Sequence, residues 1–111
     1  MAEPIRFKTS DDKEYVLEFS RKTVSEAEDA GFNLDELTLK PMTRISELFY
    51  YSFKMHQPWI TKKEADRILT EEFGGLKEDE LVRLAELYSA PFETMVFTEG
   101  DEKNVRRVTI L

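Results

Sequence analysis

The chain has one histidine, His56, and an imidazole is the side chain best suited to moving protons near neutral pH. A general base needs partners poised around its ring. The carboxylate that precedes it, Glu47, is more than two helical turns away in sequence. The position favours another role: a residue near a helix C-terminus that complements the dipole and caps a carbonyl. Paired carboxylates are the other chemistry-bearing feature: Asp11–Asp12, Glu28–Asp29, Asp35–Glu36, Glu71–Glu72 and Glu78–Asp79–Glu80. Acid–base or metal chemistry would need such pairs to line one cleft. Most instead fall at turns or helix starts, where solvent and the helix dipole stabilise negative charge. The Asp/Asn spacing of a calcium loop is missing from DDKEY. Gly74–Gly75 forms no phosphate-binding motif. With no cysteine, thiolate metal sites, disulfides and a cysteine nucleophile are excluded. The expectation is a protein that is not an enzyme and carries no cofactor or metal.

The feature that stands out is aromatic. Residues 49–59, FYYSFKMHQPW, place five aromatics in eleven positions. One helix face cannot hold Phe49, Tyr50, Tyr51, Phe53 and Trp59. Either the helix is central and wrapped on several sides, or part of it is open to a partner. Phe49 and Phe53 are core candidates. For Tyr50, Tyr51 and Trp59 both readings stand, because a chain of 111 residues has little interior in which to hide them. Tyrosine, tryptophan and methionine suit interface centres through their large amphipathic or adaptable surface. The candidate protein-binding residues are therefore Tyr50, Tyr51, Met55, Trp59 and Phe92.

The elements that must position these residues follow from local pattern. Residues 5–9 and 15–19 alternate apolar and polar around the turn-forming SDDK, which predicts a β-hairpin with Ile5, Phe7, Tyr15, Leu17 and Phe19 on one face. Thr23 and Glu26 match a capping box, and Gly31 fits the left-handed position that ends a short helix, with Phe32 packing back toward Ala27. Residues 33–40 read as a packed linker with a third short strand allowed at 36–39. Pro41 or Thr43 opens the main helix, which carries Ile45, Leu48, Phe49, Ser52 and Phe53 at helical spacing until Pro58 ends or kinks it. Thr61 and Glu64 form a second capping box, and Gly74–Gly75 stop that helix. A fourth helix covers about 77–88, and Phe92, Met95 and Val96 follow Pro91 on a last short one.

The fold class is α+β: an N-terminal β-hairpin packed on a bundle of about four helices, one long and aromatic-rich. Residues 1–98 form a single domain, and 99–111 a C-terminal arm that is either a strand or a flexible segment that orders on binding. The net charge of −7 is spread over both halves, so no basic footprint for nucleic acid exists. The N-terminus lacks the pattern of a signal peptide, and no stretch matches a membrane span, which points to the cytoplasm.

The segments KTSDDKEYVLEFSRKTV, EAEDAGF, KPMTRISELFYYSFKMHQP and LYSAPFETMV resemble a family of small proteins encoded in tail modules of phages and prophages of Gram-positive bacteria. The resemblance runs over about residues 5–97 and is to tail assembly chaperones or chaperone-like proteins of uncharacterised function. It implies an adaptor in the bacterial host cytoplasm that binds the tape-measure protein and helps recruit tail tube subunits. Such proteins often also exist as a frameshifted longer form, and no catalytic residue is implied. Self-association through the aromatic face is a further expectation. The alternative is a small acidic regulatory protein that binds a folded host enzyme through its negative surface.

Overall fold

A computed structural model describes residues 3–96 and 109–111. Strands β1 (Ile5–Lys8) and β2 (Glu14–Leu17) pair antiparallel, with Ile5 opposite Leu17 and Phe7 opposite Tyr15. The alternation works as expected: Arg6 and Lys8 face solvent, while Tyr15 and Leu17 are buried. In the turn, the Thr9 amide donates to the Lys13 carbonyl (2.9 Å), and the Thr9 hydroxyl donates to the Asp11 carboxylate. Asp12 takes a left-handed φ of 66°, a conformation that short polar side chains tolerate.

Helix α1 (Arg21–Asp29) starts three residues earlier than the Thr23–Glu26 box suggests. Ser20 is the cap: its hydroxyl accepts from the Thr23 amide (3.2 Å), and the Thr23 hydroxyl accepts from the Ser20 amide (2.9 Å). A threonine at the third helical position thus does the work usually given to Glu or Gln. At the other end Gly31 has φ 97°, and the Phe32 amide reaches back to Ala27 O (2.9 Å), burying the Phe32 ring.

The third strand allowed at 36–39 is absent. Asn33 caps a single 3₁₀ turn at Leu34–Glu36, and the amides of Leu39 and Lys40 both donate to Glu36 O. These local bonds curl the segment, so it offers no extended edge to pair.

Helix α2 (Pro41–Phe53) begins with Pro41 in its first turn and ends regular structure before His56. Helix α3 (Lys62–Arg67) is capped by Thr61, whose hydroxyl accepts from the Glu64 amide (3.1 Å). The reciprocal half of that capping box does not form, because the Glu64 carboxylate takes both bonds from Arg67 instead (3.0 and 2.7 Å). The helix widens into a π-helical segment, Ile68–Glu72, closed by Phe73 N to Ile68 O (3.0 Å) and stopped at Gly74 and Gly75. Helix α4 (Glu78–Ser89) follows, and the Glu80 carboxylate accepts from the Lys77 amide (2.7 Å). The expected last helix is a 3₁₀ turn, Ala90–Thr94, tightened by the Thr94 hydroxyl donating to Pro91 O.

The result is a hairpin packed against a four-helix bundle. Helix α2 is central, touching α1, α3, α4, β2 and the first 3₁₀ turn. An aromatic chain links the layers. Phe53 meets Phe7, Tyr15 and Phe49 edge-on, and Phe73 meets Phe7 and Phe49 in the same way. Such edge-to-face pairs add to the burial of the rings themselves. The Ser10 amide and hydroxyl both donate to Glu72, tying the hairpin turn to the π-helical segment. The expected arm at 99–111 lies almost wholly outside the described residues. Of it, Thr109, Ile110 and Leu111 are described and exposed.

Candidate protein-binding surface

Helix α2 sorts its aromatics by angle. Phe49 and Phe53 point into the core with Leu48 and Ser52. Ser52 can be buried because its hydroxyl donates to Phe49 O (2.5 Å) within the helix. Tyr50 and Tyr51 lie at the margin of the core, half-buried, with their rings in edge contact at 5.0 Å. The Lys54 ammonium sits 5.3 Å from the Tyr50 ring centroid. Burial pushes the Tyr51 hydroxyl above its ordinary range, with the neighbouring Tyr50 and Glu47 adding to the effect.

Past Phe53 the chain leaves the helix, and a single side chain controls its path. Gln57 is buried and behaves as a piece of backbone. Its Oε1 accepts from Val16 N (2.9 Å), and its Nε2 donates to Val16 O (2.9 Å) and Phe53 O (3.0 Å). This satisfies one β2 residue and the end of α2 together. With Gln57 and Ile60 directed inward, Pro58 and Trp59 between them face out. Trp59 is 73% exposed and Met55 is 41% exposed. Sequence pattern does not reveal the role of Gln57, since a glutamine beside a proline carries no period or motif. The only available signal is its place between an aromatic helix and a proline.

His56 has a carboxylate partner that lies far off in sequence. Its Nε2 is 2.7 Å from Glu18 Oε1, and the Glu18 amide donates to Ser52 O (2.9 Å). The expected cap of the helix dipole is thus replaced by a link between the hairpin exit and the end of α2. The hydroxyl nearest in sequence, that of Ser52, is turned away to Phe49 O. Several other carboxylates serve structure. Arg44 holds Glu36 (2.7 Å) and Glu47 (2.6 Å), and these bonds raise its pKa further. Arg67 bonds Glu64 and faces Glu71 and Glu72, holding the Glu64 carboxyl below its usual value. Among the described residues no three His, Asp or Glu side chains converge as a metal site would require, and no helix is long and apolar enough to cross a membrane.

Residues 1–110 match the model of a family described as a domain of unknown function, DUF5055. The chain belongs to this family. No curated protein and no solved structure matches it.

In this DUF5055 domain the five candidate residues do not form one patch. Tyr50 and Tyr51 touch each other on α2, and Met55 and Trp59 follow on the turn that Gln57 pins. Phe92 belongs elsewhere. It is 65% exposed and lines an open groove of about 650 Å³ between α1 and the final 3₁₀ turn, together with Val24, Leu34, Tyr88 and Met95. None of residues 49–59 lines that groove. Leu39 and Met42, at the start of α2, are two further exposed apolar side chains that the spacing did not single out. Leu39 lies just after the 3₁₀ turn, in a segment without a readable period, and Met42 lies in the first turn of α2.

Proposed function

We propose that this protein is a non-enzymatic adaptor of the tail assembly chaperone kind, acting in the cytoplasm of a bacterial host. It binds the tape-measure protein and helps recruit tail tube subunits. The observation that supports the reading is Trp59: a large aromatic exposed to water, yet held on a turn locked by the three hydrogen bonds of Gln57. Prearranging an aromatic anchor lowers the ordering cost of association. The ionisable side chains of the same region, His56 and Glu18, pair with each other.

The test is co-expression with a tape-measure fragment. The wild-type chain should keep the fragment soluble, and Trp59→Ser should lose that effect while melting like the wild type. A fragment that precipitates regardless overturns the reading. Tight binding to one folded host enzyme, with no effect on the fragment, would support the regulatory alternative instead.

A further inference from the structure

The groove at Phe92 has a chemistry of its own. Its floor is Tyr88, whose ring is held edge-on by Phe19 (5.1 Å) and Phe32 (5.0 Å). Its walls are Val24 from α1, Leu34 from the first 3₁₀ turn, and Phe92 and Met95 from the last turn. Phe92 and Met95 are each 65% exposed, so apolar area stands open at the rim. The volume, about 650 Å³, lies within the range that receives several ligand side chains. The two charged residues of the lining are not equivalent. Arg21 is committed: its Nε donates to the Thr94 hydroxyl (2.8 Å) and its Nη2 to Thr94 O (3.2 Å), clipping the last turn to α1. Glu28 is exposed at the groove and adds to the upward shift of the Tyr88 hydroxyl, so its field reaches the floor.

We infer that this groove receives the apolar ridge of an amphipathic helix from a partner protein, with a lysine or arginine beside that ridge meeting Glu28. Charge selects the cation: the Glu28 carboxylate is exposed at the lining and makes no ion pair among the described residues, Arg21 is engaged with Thr94, and the chain carries a net charge of −7. Backbone chemistry selects the helix. The walls are side chains rather than an open strand edge, so an extended segment would leave its own amides and carbonyls unpaired against apolar surface. A helix brings its backbone bonds with it and presents residues i, i+3, i+4 and i+7 as anchors. The inference rests on the adaptor reading, and it names a second surface distinct from the Trp59 turn.

The probe is a labelled synthetic helical peptide with a leucine ridge flanked by lysines, compared with one carrying glutamates in their place. Fluorescence anisotropy with the full chain should show tighter binding of the lysine peptide. Met95→Glu should weaken it at least about tenfold, Glu28→Lys should reverse the preference between the peptides, and Trp59→Ser should change neither. Glu28 is exposed, so its charge reversal remains informative even if Met95→Glu disturbs folding. Equal affinity for both peptides, or unchanged binding in both groove variants, overturns the proposal. So does binding that emerges only after removal of residues 97–111, which would make the chain's own end the occupant. Self-association abolished by Phe92→Asp would assign the groove to a second copy and overturn it as well. Because no tape-measure fragment is present, peptide binding beside a failed co-expression would remove the chaperone reading and leave the groove intact.

Discussion

The seam between the hairpin and α2 contrasts with the end of the molecule around Ala90–Thr94. In the seam, polar groups and rings are paired. Gln57 meets Val16 and Phe53, His56 meets Glu18, and Phe53 sits among Phe7, Tyr15 and Phe49. At the last turn, Arg21 and Thr94 hold the backbone in place while Phe92 and Met95 stay open to water. Both regions are fixed by long-range hydrogen bonds. They differ in what those bonds protect: in the seam they enclose the core, and at the last turn they hold apolar surface outward. A well-ordered exposed surface of this kind is what a binding protein needs, since the ordering is complete before a partner arrives.

The contrast would break first at Phe53. Replacing this fully buried ring with alanine should cost about 3–5 kcal/mol in chemical denaturation. An unchanged midpoint would mean that the seam is not the core. Gln57→Ala should come next, at about 1–3 kcal/mol, because it strands both polar groups of Val16. Faster hydrogen exchange at the Val16 amide would report it directly. Gln57→Glu should be nearly as harmful, since a carboxylate can accept from Val16 N but cannot donate to Val16 O or Phe53 O.

The pH response sharpens the comparison on the groove side. Burial pushes the Tyr88 hydroxyl up to about 12 from an ordinary 10.0, and Glu28 adds to the shift. The unfolded chain releases this proton first. Stability from the half-buried neutral phenol is therefore complete below pH 10.0 and is lost as pH rises toward about 12. Thermal melts across this window should show the decline, and Tyr88→Phe should flatten it. The smallest effect belongs to the rim: Phe92→Ser and Met95→Ser should move stability by no more than about 0.5 kcal/mol. A large loss at either would turn the open groove into part of the core.

Much of the architecture was legible because its rules are local. Alternation around SDDK marks the hairpin, Gly31 marks a helix end, Thr61 marks a helix start and Gly74–Gly75 a stop. Local competition explains the misreadings. Ser20 captured the first helix from Thr23, and Asn33 with Glu36 curled a segment whose leucines suggested a strand. The candidate surface was less legible still. Tyr50, Tyr51 and Trp59 are equally aromatic in sequence, yet the tyrosines rest against the core while Trp59 stands out from it.

By itself, the sequence determined a cysteine-free, evenly acidic α+β chain with its hairpin and helices in this order, because alternation, helical period and caps act within a few residues. Only the tertiary structure decided that His56 belongs to Glu18, 38 residues away, and that Gln57 completes the pairing of Val16, 41 residues away. It also decided that Phe92 lines a groove with Val24 and Leu34 rather than joining the α2 aromatics. Periodicity specifies which side of an element is apolar. Which apolar side finds cover depends on how the elements pack, and that is settled only when the whole chain has closed around α2.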